Sequence, residues 1–190
     1  MMSAFELPSS FWPRVDEFAT LLLQYNQTHN ITGAKTREAV IKNVEDSIYP
    51  IVYLDVKTLH NAMDVGTGAG FPGLLLALAL PHVHFTLFEP IGKKSAFLHL
   101  AKITLELDNV DISTNRVEKV VPFDVDLICS RAVTNTKMLI NLCQTFIHEK
   151  TTLLFYKGEL VAEEIQGLQN CQVYQRDKRY YLVMKDVHAH

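Results

Sequence analysis

The run Asp64-Val65-Gly66-Thr67-Gly68-Ala69-Gly70-Phe71-Pro72-Gly73 carries the most chemistry in this chain. Glycines gathered in this way let the backbone turn sharply and bring its N–H groups against a ligand, and a helix starting near Pro72 would add the positive end of its dipole. A dinucleotide fingerprint, G-x-G-x-x-G, needs a third glycine where Phe71 stands, and the spacing here is G-x-G-x-G. Glu89 closes the next apolar run, about 20 residues beyond the loop, where a carboxylate receives ribose hydroxyls. Gly66, Gly68 and Glu89 are therefore expected to hold an adenosine-containing cofactor. The plainer alternative for Glu89 is a solvated strand-end charge beside Lys93 and Lys94. Val117 and Glu118, after the third apolar run, are candidates for contacts to the adenine base. Arg131 closes the fourth run; its guanidinium suits a cofactor carboxylate, an RNA phosphate or a structural salt bridge, and the residues leave all three open.

These residues need a scaffold, and the sequence supplies the pattern of one. Phe11, Val15, Phe18, Leu22 and Tyr25 recur at helical spacing, and Val40, Val44 and Ile48 do so again after Thr36, a plausible N-cap. Between them Tyr25 to Ala39 reads as an ordered polar loop. From residue 60, strands at 61–65, 84–89, 110–114, 126–130 and 152–156 alternate with helices at 72–80, 93–107 and 137–147. That order predicts a doubly wound, mostly parallel α/β sheet. Gln172 to Arg176 and Tyr180 to Lys185 read as a closing antiparallel hairpin around Asp177-Lys178-Arg179. One domain of 190 residues is expected, with a helical N-terminal extension over 1–58 and a Rossmann-like core over 59–190.

The net charge of −3 gives no global sign of nucleic-acid binding, so any RNA contact must come from a local basic surface. Cys129, Cys143 and Cys171 are widely spaced and odd in number, which predicts reduced thiols, with neither disulfide nor zinc. Cys129 lies in an apolar run and reads as core packing. His82 and His84 lack further spaced ligands, His188 and His190 fall in a tail, and no metal site is expected. The opening MMSAFELPSS lacks the pattern of a secretory leader, and no apolar run approaches the roughly 20 residues needed to span a bilayer. A cytoplasmic protein is expected.

The G-x-G-x-G loop resembles the first motif of class I methyltransferases, which bind S-adenosylmethionine. Further motifs, in order, resemble the glucose-inhibited division protein B family of 16S ribosomal RNA guanine-N7 methyltransferases. They are Tyr25-Asn26 with Asn30-Ile31-Thr32, Asp46-Ser47-Ile48, VGTGAGFPG, Gly92-Lys93-Lys94, Ser130-Arg131-Ala132 and Tyr156-Lys157-Gly158. Asn43 replaces a family histidine, and Glu89 replaces a family aspartate. The resemblance implies a class I fold and cofactor contacts at Gly66, Phe71, Val117, Glu118 and Arg131. It implies methyl transfer to N7 of a guanine in 16S RNA or the small ribosomal subunit, and a monomer is expected. Arg131 and Lys157 are the candidates for positioning the reactants, and Lys35, Arg37, Lys42 and Lys137 for RNA phosphates. The chain lacks the Asn/Asp-Pro-Pro-aromatic run of exocyclic-amine methyltransferases. A small-molecule methyltransferase and a non-catalytic ribosome-assembly factor of the same fold are the alternatives, and a nicotinamide oxidoreductase is disfavoured by Phe71.

Overall fold

A computed structural model describes residues 5–131 and 133–187. The first four residues, Ala132 of the Ser130-Arg131-Ala132 run, and His188 and His190 lie outside the described residues. Helix α1 (Phe11–His29) buries Phe11, Val15, Phe18, Ala19 and Leu22 on one stripe. It runs through Tyr25 to His29, residues that the sequence reading gives to the loop. Asn30, in the left-handed conformation (φ 46°), ends it. Helix α2 (Arg37–Ile48) begins where expected, because Thr36 Oγ1 accepts the Ala39 N–H at 3.2 Å. A 3₁₀ segment, Tyr49–Tyr53, continues from it.

The sheet comprises β1 (Asn61–Val65), β2 (His84–Phe88), β3 (Val110–Ser113), β4 (Leu127–Arg131), β5 (Thr152–Lys157), β6 (Cys171–Arg176) and β7 (Arg179–Met184). Its order is β3-β2-β1-β4-β5-β7-β6, with β1 to β5 pairing in parallel and β7 antiparallel to both its neighbours. The expected closing hairpin is present, with a tighter turn. Arg179 is already in the ladder opposite Arg176, and Asp177, at φ 52°, takes the left-handed conformation that a two-residue turn requires.

Side chains alternate between the two faces as strand geometry demands. Ala62, Leu127, Leu154 and Val183 join the core under α1, α2, α3 (Gly73–Ala79) and α4 (Gly92–Thr104). Met63, Val65, Ile128, Phe155 and Leu182 join the core under α5 (Thr136–Cys143) and α6 (Val161–Glu164). Every residue of α3 is buried, as a helix apolar all round should be. Each of its leucines contributes about 1.5–3 kcal/mol by leaving water.

Parallel pairing brings the carboxyl ends of β1, β2 and β4 to one edge of the sheet, where ligands bind in open α/β folds. The antiparallel strand β7 starts at that same edge, since Tyr180 lies opposite Lys157 and Tyr181 opposite Tyr156.

Candidate functional site

The glycine loop leaves β1 with Gly66, Gly68 and Gly70 all at positive φ (72°, 64° and 95°), a conformation that side chains resist. A Cβ at Gly66 would stand 2.5 Å from Val133 Cγ2, so the loop after β4 closes against this turn. Nothing lies within 4 Å of a Cβ built on Gly68, which leaves that side of the loop open to a ligand. Gly73 serves packing instead. Its Cβ would meet Leu87 Cδ2 at 2.5 Å and Asp64 Cβ at 2.6 Å, so glycine lets α3 settle against the sheet.

Glu89 sits against the loop. Its Oε2 accepts the Gly68 N–H at 3.0 Å and its Oε1 accepts the Ile91 N–H at 2.8 Å, and the residue is only 3% exposed. Each oxygen keeps a second lone pair for a ligand hydroxyl. At 3% exposure Glu89 is not the solvated strand-end charge of the plainer alternative. Lys93 Nζ donates to His29 O at 2.9 Å, and Tyr25 Oη donates to Lys93 O at 3.0 Å, which fastens the end of α1 to the start of α4. Asn26 then knits the following loop, accepting from Ile31 N (2.7 Å) and Thr32 N (3.0 Å) and donating to Thr32 O (3.0 Å). The Tyr-Asn and Asn-Ile-Thr runs are thus one hydrogen-bonded bracket beside the cofactor edge.

Beneath the loop the fully buried Asp64 was not singled out from sequence. Its Oδ2 accepts the Gly73 N–H at 2.7 Å, so the expected helix N-terminus is answered by an internal carboxylate and not left facing a ligand. Asp64 Oδ1 and Thr67 Oγ1 are buried without a hydrogen-bond partner among the described residues. Burial pushes the Asp64 carboxyl up to about 6, against the adjacent Thr67 hydroxyl, which is near it though outside hydrogen-bond geometry, the Gly73 N–H and the Arg131 charge, all of which lower it.

Arg131, at the end of β4, points to the α2 side of the sheet. Its Nη1 donates to Asp46 Oδ2 (3.3 Å) and Asn43 Oδ1 (3.2 Å), and its guanidinium lies 4.9 Å from the centre of the Phe71 ring. Asn43, which replaces the family histidine, therefore acts as an acceptor for Arg131. Burial pulls Arg131 below the ordinary guanidinium value while Asp46 pulls it back. Asp46 Oδ1 also accepts from Arg179 Nε (3.0 Å) and Tyr181 Oη (2.9 Å). Phe71 is buried, packed edge-to-face on Phe18 at 5.5 Å, so its ring forms the floor beneath Arg131.

The remaining candidates scatter. Lys157 projects to the opposite face, buried, donating to Glu164 Oε2 (2.7 Å) and Thr134 O (3.1 Å). Although burial raises Glu164, bonds from Lys157 and Thr136 hold its carboxyl below the ordinary value. Lys157 thereby holds the loop that closes on Gly66. Val117 is buried in the α5-side core, and its neighbour Glu118 is exposed. Arg37 is ion-paired with Asp16, whereas Lys35 and Lys42 are exposed. Lys137 lies at the start of α5, near Gly167 and Asn170, on the face away from Arg131. Cys129 is buried, its thiol 3.4 Å from Met63 O, and burial pushes it well above the ordinary value. His82 and His84 engage Val56 O and Asp111 Oδ2, each at 3.0 Å. Among the described residues no three ligating side chains are grouped to hold a metal, and no helix is long and apolar enough to cross a membrane.

Solved structures of the same architecture include a ribosomal protein L11 methylase from Lactobacillus delbrueckii (TM-score 0.59, 15% identity, covering 77% of this chain and 79% of that one). They also include a SAM-dependent O-methyltransferase from Thermotoga maritima (TM-score 0.63, 15% identity, covering 77% and 66%). At such identity they speak to the fold, the class I methyltransferase fold expected from the element order. In sequence, the chain is 44% identical over 174 residues to ribosomal RNA small subunit methyltransferase G of Wolinella succinogenes, covering 92% of this chain and 89% of that protein. It is 40% identical over 183 residues to the protein of the same name from Campylobacter fetus, covering 95% and 98%. The family model for GidB, rRNA small subunit methyltransferase G, matches residues 13–189. The chain belongs to the rRNA small subunit methyltransferase G family.

Proposed function

We propose that this protein transfers a methyl group from S-adenosylmethionine to N7 of a guanine in small-subunit ribosomal RNA. The observation that carries the reading is the family match over residues 13–189, on a chain whose open glycine loop and Glu89 sit together at the carboxyl edge of the sheet. The residues fit the cofactor. The open side of Gly68 admits a ligand close to backbone, and the free lone pairs of Glu89 suit a pair of ribose hydroxyls. Backbone around Val117, with Glu118, would meet the base. When bound, S-adenosylmethionine supplies an electrophilic methyl group on a positively charged sulfur.

Guanine N7 carries an in-plane lone pair and no proton, so no residue of the chain has to act as a general base. The protein's task is to fix two reactants in line, and orientation of this kind can account for several kcal/mol of barrier lowering. The Phe71 floor and the Arg131 cluster form a fixed wall on the substrate side, and the Lys157–Thr134 contact sets the loop that meets Gly66. Exposed Lys35 and Lys42 provide phosphate attraction near the N-terminal bracket. We read the helical segment and the sheet as one domain, acting as a monomer in the cytoplasm, where its ribosomal substrate is found.

The test is methyl transfer from labelled S-adenosylmethionine to 16S RNA and to small subunits lacking the modification, with the labelled base mapped. Label at N7 of one guanine is expected. Cofactor binding without transfer to either substrate would refute the reading in favour of a small-molecule substrate or a non-catalytic assembly factor.

A further inference from the structure

Asp46, on α2, gathers three side chains from two elements remote in sequence. Arg131 comes from β4, and Arg179 and Tyr181 come from β7. Its own side chain is 14% exposed, and those of Arg131 and Arg179 are 15% and 37% exposed. One carboxylate therefore holds two guanidinium groups in a half-closed corner, and Asp64 beneath the loop also feels the Arg131 charge. Only Nη1 of Arg131 and Nε of Arg179 have hydrogen-bond partners among the described residues, so both forks keep N–H donors for a ligand. Cross-strand from Arg179 lies Arg176, its guanidinium 4.6 Å from the Tyr49 ring centre, and Lys178 stands in the turn between them. The hairpin tip is thus basic at the edge of the sheet where the cofactor loop lies.

We propose that Asp46 is a positioning residue that presents Arg131 and Arg179 as a paired grip for a phosphate of the substrate RNA. This inference rests on the RNA methyl-transfer reading above. The distance across the sheet argues for RNA over the cofactor at Arg179, the member of the pair farther from Glu89; Arg131, on β4, stands only two positions from β2. Strand β7 lies four positions from β2, which carries Glu89, or about 19 Å at ordinary strand spacing. A cofactor whose ribose is on Glu89 leaves Arg179 to a different ligand. A planar fork with several N–H groups matches phosphate oxygens in pairs, and Asp46 fixes the direction of both forks before the RNA arrives.

The experiment compares Arg179→Ala, Arg179→Lys and Asp46→Asn with the unaltered protein. It measures RNA affinity between 50 and 200 mM salt (about the range over which phosphate contacts are read out), the KM for small subunits, cofactor affinity by calorimetry, and thermal melting. Arg179→Ala is expected to lower the salt slope by about one and to raise the RNA KM about tenfold, with cofactor affinity unchanged. Arg179→Lys should restore the slope, because it restores the charge. Asp46→Asn keeps both arginine charges, so it should keep the slope while raising the RNA KM, a split that mere loss of structure would not produce. Arg179 is the more exposed partner, so its alanine variant should melt normally and keeps the test decisive if Asp46→Asn folds poorly. Weakened cofactor binding with an unchanged salt slope would overturn the proposal and assign the arginines to the cofactor. An unaltered protein that neither binds nor methylates RNA would overturn the functional reading and this inference with it. Normal methylation with an unchanged slope in Arg179→Ala would overturn the arginine grip alone.

Discussion

Replacing Asp64 with asparagine tests the electrostatics beneath the cofactor loop. The side chain is fully buried, one oxygen is held by the Gly73 N–H at 2.7 Å, and the other has no partner among the described residues. Burial raises its pKa from 3.8 to about 6. The folded protein therefore binds this proton more tightly than the unfolded chain does. The associated stability is fully present below about pH 4 and is lost as pH rises through about 6. Two pKa units correspond to about 3 kcal/mol. Asp64→Asn keeps an oxygen for Gly73, removes the charge, and offers an amide N–H toward the unpartnered Thr67 hydroxyl. Urea unfolding of both proteins should therefore show them within about 1 kcal/mol of each other at pH 4, with the asparagine variant gaining about 3 kcal/mol relative to the unaltered protein by pH 7.5. In thermal melts that gain is about 6–12 °C for a chain of this size. Taking the difference between the two proteins removes the contributions of Asp111 and Glu164, whose carboxyls shift downward and act with the opposite sign. A difference that stays flat from pH 4 to 7.5 would show that Asp64 titrates as it does in water and would refute the reasoning.

Glu89→Gln should weaken cofactor binding by about tenfold or more, since it removes a charged acceptor that also holds the Gly68 N–H; calorimetry decides, and unchanged affinity would remove Glu89 from the site. Cys129→Ala should leave methyl transfer within about twofold, because the thiol is buried and protonated; a complete loss of transfer in a normally folded variant would revive a nucleophilic role. Lys157→Met should cost about 1–3 kcal/mol in urea unfolding by leaving Thr134 O without its donor and Glu164 with Thr136 alone. Loss of less than about 1 kcal/mol would mean that the pair is solvated like a surface ion pair.

The glycine turn, the place of Glu89 after the second strand and the alternation of strands with helices were legible in the sequence because each depends on local spacing: two-residue alternation, left-handed turns, a carboxylate one βαβ unit downstream. What escaped depends on partners far away in sequence. The charge of Arg37 is answered by Asp16, and that of Lys157 by Glu164, and neither pairing is marked by a motif. The extension of α1 to His29 was hidden because Asn26 looks like a turn former. Its side chain does make turn contacts, but from inside the helix. Asp46 was visible as part of Asp-Ser-Ile, yet its partners Arg179 and Tyr181 are 133 and 135 residues away. Asp64 stood at the head of the glycine motif and read as part of the ligand loop, when its carboxylate serves the helix start.

That long reach has a consequence for biosynthesis. Chains emerge from the ribosome N-terminus first, and contacts between distant segments close late and slowly. Helix α2 and the glycine loop are synthesised long before β7, so a nascent chain carries Asp46 and the loop before Arg179 and Tyr181 exist. The Asp46 corner is completed by β7, the last of the seven strands to be synthesised. If Asp46, Arg131 and Arg179 hold RNA as proposed, a chain still lacking β7 would lack that grip.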